Sequence, residues 1–194
     1  WQTKLGDVAR GIESYREALE IDPSHPETLA ALDGLVSGKT EPVQAARVLE
    51  PIYEAAGEHG KLAAVLEVIT ANTEDPLARV DLLHRIASLA EVQLGNVRGA
   101  YDAYARALRD DSGNPLTLGH IERLAEQAQA WSELAALYGT EAGKTMDIPR
   151  QVELWARLAR VQEQELADVA ASIGTFTKIL DAAFDHKPAV LALD

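Results

Sequence analysis

An all-α chain, a stack of antiparallel helix pairs made of about ten to eleven helices, is the fold class that this sequence predicts. Three observations predict it. Residues 6–36 return 89 positions later at 95–125, and residues 80–108 return 72 positions later at 152–180. Seven of the eight prolines (Pro23, Pro26, Pro42, Pro76, Pro115, Pro149, Pro188) stand where one apolar helical stripe stops and the next begins. No segment alternates apolar and polar residues over the length of a strand.

The copies agree at small and apolar positions, where a unit must fit its neighbour. Gly6, Tyr15, Ala18, Leu19 and Pro26 meet Gly95, Tyr104, Ala107, Leu108 and Pro115; Val80, Arg85, Ala87 and Leu94 meet Val152, Arg157, Ala159 and Leu166. Such identities belong to stacked units that each bury a face only against the next.

Taken in order, the 3.6-residue apolar period predicts helices over 6–21, 26–37, 42–57, 60–71, 76–94, 96–110, 115–128, 130–142, 149–166 and 168–183, with another starting at 188. Asp75-Pro76 and Asn114-Pro115 each set a capping side chain before a proline at the first helical position. Asp168 is placed to cap the helix after it, although with Glu163 and Glu165 it also forms a carboxylate cluster of the kind that can serve acid–base or metal chemistry. Pro51 falls inside the stripe Leu49, Ile52, Tyr53, Ala56, so a kink and not a break is expected there. The two displacements differ by one helix plus a turn, and the helices at 26–37 and 42–57 both align with the single helix at 115–128. Strict pairing should therefore fail locally.

With 194 residues, 47% of them hydrophobic, the chain can bury a substantial core, and all of 1–194 is expected to form one repeat segment. It opens at Trp1 without a methionine, and Val190 to Asp194 matches Leu29 to Asp33, so a piece of a longer array is expected. The formal net charge of -13 would repel a phosphate backbone, which argues against a nucleic-acid partner. The chain has no cysteine, hence no disulfide framework and no thiolate metal site. Its apolar runs are too short to insert in a membrane. Compartment and oligomeric state stay open, with the cytoplasm favoured.

Gly6-Asp7, Gly11, Tyr15, Ala18 and Asp22-Pro23 resemble the second helix of the tetratricopeptide repeat (TPR) family, with weaker copies at Gly95-Asn96, Ala100, Tyr104, Ala107 and at Asp168, Ser172, Phe176, Ile179. The first-helix positions, His84, Ala87, Ser88 and Glu91, match less well. The resemblance implies a right-handed superhelical TPR-like α-solenoid that binds proteins. It also implies an inner groove lined by the first helix of each pair, here Leu82, Arg85, Leu89, Val92 and Gln93, then Leu154, Arg157, Val161, Gln164 and Glu165. Arg85 and Arg157 would be placed there to hold carboxylates of a peptide. Against that stands simple ion pairing within the helix, since Asp81 and Glu153 lie four residues before them.

No phosphate-binding glycine loop, nucleophile elbow, His-Glu-x-x-His motif or cysteine nucleophile occurs, and no cofactor is implied. His25, His59, His84, His120 and His186 form no pair on one helix face and are expected at the surface or in packing. Trp131, Leu134, Leu137 and Tyr138 share one stripe, so they and Trp155 read as core before ligand platform. The function expected is a non-catalytic scaffold for a peptide or protein partner. The alternatives are a structural spacer or self-assembly array and, from another class, a helical enzyme built where His59, His84, His120 or carboxylates converge.

Overall fold

The computed structural model describes residues 2–38 and 40–193, with side chains from Asp7 onward. Among the described residues there are eleven α-helices and no strand: α1 (Gln2–Ile21), α2 (Pro26–Val36), α3 (Pro42–Ala56), α4 (His59–Ala71), α5 (Pro76–Ser88), α6 (Val97–Asp110), α7 (Pro115–Gln127), α8 (Trp131–Lys144), α9 (Ile148–Arg160), α10 (Val169–Ala182) and α11 (Lys187–Leu193). The all-α class and the count of helices are as the sequence predicts, including α2 and α3 as separate elements where the later copy has α7 alone.

Two compact units divide the chain after Asn96. In the first, α1 packs on α2, α2 on α3, α3 on α4 and α4 on α5; in the second, α6 packs on α7 and each helix on the next as far as α11. The remaining substantial contacts within a unit reach only to the next helix but one, as in α1 with α3 and α6 with α8. Packing that stays this local is the property of a linear repeat stack.

Helix starts follow local chemistry. Asp75 accepts from the Leu77 amide, Asn114 from Leu116 and Thr117, and Asp168 from Ala171, so the three expected caps form. His25 and His186 serve the same purpose through Nδ1, accepting from the amides of Thr28 and Ala189. The cluster around Asp168 is thus a helix start, with Glu163 and Glu165 solvated beside it. α3 runs unbroken through Pro51, which faces solvent while Ala45, Ala46, Leu49 and Tyr53 are buried on the other side.

Small residues set the seams. Ala45, Ala46, Ala87, Ala100, Ala107, Ala125 and Ala159 are all completely buried, and Ala87 and Ala159 are repeat equivalents. Ser172 and Thr175 take the places of Ala100 and Ala103 in the later copy, and the Thr175 hydroxyl is satisfied by the Gln162 side chain and the Ala171 carbonyl. Two tyrosines brace neighbouring helices. The Tyr53 hydroxyl donates to Asp33 Oδ1 on α2 (2.6 Å), and the Tyr138 hydroxyl donates to Glu122 Oε1 on α7 (3.0 Å).

The long helices expected over 76–94 and 149–166 end differently from the prediction. α5 and α9 each close in a π-helical turn, Leu89–Gln93 and Val161–Glu165, again 72 positions apart. In both, the residue after the turn bonds five back (Leu94 to Leu89, Leu166 to Val161, 3.0 Å each), and the chain leaves through a left-handed residue, Gly95 (φ 61°) or Ala167 (φ 53°). The unwinding carries Leu94 off the buried face, leaving it 45% exposed. α3 and α7 end alike in a Schellman-type bond, Glu58 to Tyr53 and Ala130 to Ala125, with Gly57 (φ 69°) and Gln129 (φ 54°) in the left-handed position.

The second unit therefore places Gln129 and Ala167 where the first has glycine. A left-handed non-glycine residue costs about 1–2 kcal/mol, and glycine returns part of that as chain entropy. Gln129→Gly and Ala167→Gly should each stabilise by about 0.5–1 kcal/mol and raise the urea midpoint. Gly57→Ala and Gly95→Ala should lower it, since a Cβ there meets nothing within 4 Å and only the backbone conformation is at stake. Midpoints that stay put or move the other way in urea titrations would contradict this account.

Candidate partner-binding face

The positions singled out on α5 lie at the surface and those on α9 only in part. Leu82 and Leu89 are half-buried, Arg85 and Gln93 are exposed, and Val92 is 69% exposed. With Arg85 among them, Leu82, Leu89 and Val92 recur at helical spacing and form one outward stripe on α5 and its π-helical turn. On α9 the expectation needs correction. Leu154 and Val161 are buried and offer a partner nothing, while Gln164 and Glu165 are exposed and Arg157 is largely covered.

A residue on another helix lies beside Val161. Trp131 opens α8 and shares with Val161, Glu122, Arg160, Gln164 and Glu165 the walls of a cavity of about 50 Å³. The counterpart of Trp131, 72 positions earlier, is His59, a smaller ring, and Leu89, the counterpart of Val161, is half-buried where Val161 is buried. Trp131 and Trp155 are half-buried, while Leu134, Leu137 and Tyr138 are in the core.

The two arginines are held by carboxylates of the preceding pair. Arg85 Nη1 donates to Glu50 Oε1 of α3 (2.6 Å), and its Nη2 lies 3.5 Å from Glu54. Arg157 Nη1 donates to Glu122 Oε1 of α7 (2.8 Å), and Nη2 pairs with Glu153 (3.4 Å). The expected intrahelical pair thus forms at Arg157, whereas Arg85 turns to α3 in place of Asp81. Glu50 and Glu122 are themselves 72 apart, so the brace from each arginine helix to the helix two before it is part of the repeat. That equivalence was present in the sequence as two matching glutamates.

The braces differ in burial. Glu122 also accepts from the buried Tyr138 hydroxyl, and Arg157 Nε is buried with no hydrogen-bond partner. Burial works against the Arg157 charge, but the hydrogen bond to Glu122 and the nearby Tyr138 outweigh it, and its pKa is raised. Burial first, then Glu122, holds the Tyr138 phenol far above its ordinary value; at Tyr53 burial and Asp33 do the same. Tyr101 is pushed up to about 12 by burial and by Glu133. On α6, Arg98 lies 5.4 Å from the centre of the Tyr101 ring and joins Asp102 (3.1 Å) to Glu133 of α8 (2.5 Å).

Each arginine of the stripe therefore has a resident carboxylate, which an incoming one would have to displace. His120 stacks on Tyr104 with ring centres 5.2 Å apart. Among the described residues no three of His, Asp and Glu are grouped to hold a metal ion, and no helix is long and apolar enough to cross a membrane.

No family model matches the chain, and no curated protein does. Solved structures similar to it include two that align along nearly its whole length. One is BtubC (BKLC) from P. vanneervenii, at 16% identity over 100% of this chain and 88% of that one, with a TM-score of 0.34. The other is a tetratricopeptide repeat protein from Parabacteroides merdae, at 15% identity over 98% and 93%, with a TM-score of 0.36.

Removing Arg157 leaves the half-buried Glu122 without its cation beside the buried Tyr138, so Arg157→Ala should cost about 1.5–3 kcal/mol and keep most of that cost in 1 M salt. Arg85 is 42% exposed, and Arg85→Ala should cost at most about 1 kcal/mol and lose even that in salt. Equal penalties in urea unfolding would contradict the difference in burial. The raised Tyr101 pKa has a sign of its own: the folded state keeps the proton longer, so stability is complete below pH 10 and is lost as pH climbs from 10 to about 12. Tyr101→Phe should lessen that loss, with the remainder due to Tyr53 and Tyr138, and tyrosinate absorbance should rise together with the fall in helical circular dichroism. Ionisation of all five tyrosines in a chain still fully helical would rule this out.

Proposed function

We propose that this chain is a non-catalytic scaffold that holds a peptide or protein partner along the first helices of its pairs, with α5 as the principal contact helix. One observation carries the reading: Val92 stands 69% exposed on one stripe with the half-buried Leu82 and Leu89, around an arginine whose charge is already matched by Glu50 and Glu54. Apolar side chains held in fixed places on a rigid helix lose little freedom when covered. Covering what remains exposed of the three would supply on the order of 2 kcal/mol before the cost of association. Recognition of useful strength then needs several such shallow contacts along the stack, which is how extended helical repeats bind.

A photoreactive amino acid at Val92 should give covalent adducts with a partner in extracts of the source cell, whereas the same probe at Lys178, an exposed position on α10, should not. Leu89→Asp with Val92→Asp should abolish partner recovery while helicity is unchanged. Adducts of equal yield from both sites, or recovery indifferent to the double change, would remove α5 as the binding helix.

A further inference from the structure

The first unit has a second opening, on α1 and α3 and away from the α5 stripe. It is a cleft of about 390 Å³ whose apolar walls are Leu19, Val48, Pro51 and Ile52. An apolar cavity of about 150 Å³ takes up benzene, so this one has room for a large side chain and part of its backbone. Three features say what kind of segment would enter.

The first is an uncompensated cation. Arg47 lines the cleft, is exposed, and has no ion-pair or hydrogen-bond partner among the described residues. Arg16 also lines it but is taken by Glu13 and by Glu20 (2.9 Å), so the one carboxylate on the cleft wall is already neutralised. The second is an open acceptor. Pro51 has no N–H, which leaves the Arg47 carbonyl, one turn earlier on α3, without its intrahelical donor. The third is the rest of the surface. With a net charge of -13, most of the chain repels an acidic segment, and a spare guanidinium beside apolar walls is where one would settle.

From these we infer that the cleft is a docking site for an acidic, apolar segment of a partner protein. A large side chain enters between Leu19 and Ile52, a neighbouring carboxylate meets Arg47, and an N–H of the segment reaches the Arg47 carbonyl. The site shares no residue with the α5 stripe, so either can fail alone.

The test uses the intact chain and two fluorescein-labelled probes, Gly-Asp-Leu-Phe-Asp-Gly and the same hexapeptide with asparagine for both aspartates, followed by fluorescence anisotropy. The acidic probe should bind with a submillimolar dissociation constant and the asparagine probe about fivefold more weakly, the worth of one exposed ion pair. Arg47→Gln, at an exposed position, should bring the acidic probe down to the level of the other and leave the latter unaltered. Ile52→Asp should weaken both, whereas Leu89→Asp with Val92→Asp should change neither. Equal affinities for the two probes, indifference to Arg47→Gln, or no binding at millimolar concentration would overturn the proposal. So would sedimentation showing self-association that Ile52→Asp abolishes, because the occupant would then be a second copy of this chain. Should Ile52→Asp lose helicity, the Arg47→Gln comparison decides by itself.

Discussion

Close approach of consecutive helices is the constraint on which the rest of this structure depends. Two helices come within van der Waals reach along their length only where the facing side chains are small, and the chain supplies alanine at those points: Ala45 and Ala46 on α3, Ala87 on α5, Ala100 and Ala107 on α6, Ala159 on α9. Larger residues, Leu49, Leu66, Ile121 and Leu134 among them, then fill the space beside the seam and become fully buried. Because within each unit the substantial contacts of a helix are with its sequence neighbours and the next but one, the identity of a seam residue matters locally. That is why the same residue types recur at 72 and 89 positions while the surface between them drifts.

The charge braces follow from the same geometry. Successive first helices come near enough for a guanidinium on one to reach a carboxylate on another, as Arg85 does with Glu50 and Arg157 with Glu122. The two braces are not equal in energy. Arg85 is open to solvent, where an ion pair is worth little, whereas Arg157 is joined to a buried tyrosine and loses water as well. One repeat position thus serves as a surface contact in one copy and as part of the interior in the other.

Much of the fold was legible because helix boundaries are written in local chemistry. Asp75, Asn114 and Asp168 cap as expected, and prolines mark the starts. The π-helical turns were not legible, since a turn of that kind is a matter of which carbonyl the amide of Leu94 or Leu166 reaches, and Ala167 carries no mark of the left-handed conformation it adopts. The exposure of Arg85, Val92 and Gln93 could be read from the helical register, and the burial of Leu154 and Val161 could not. Leu154 and Val161 occupy the same register as Leu82 and Leu89, but whether a register position is open depends on what the neighbouring helices place beside it, and near Val161 stands Trp131 where the earlier copy has His59. Helical periodicity locates a face; it does not show what covers it.

Differences between equivalent copies are therefore more informative than their agreements. Agreement at Ala87 and Ala159 reports a seam, and any stable stack would need it. Departures such as His59 against Trp131, Val92 against Gln164 and Gly95 against Ala167 alter the surface or strain one unit without serving the seam. In the first unit Val92 is left exposed and Leu89 half-buried. Pro51 belongs with them: the matching residue of α7 is Arg123, and a helix that gives up a hydrogen bond on its solvent side gains nothing in packing from doing so. Local costs of this kind lie in both units, at Pro51 on α3 of the first and at the left-handed Gln129 and Ala167 of the second.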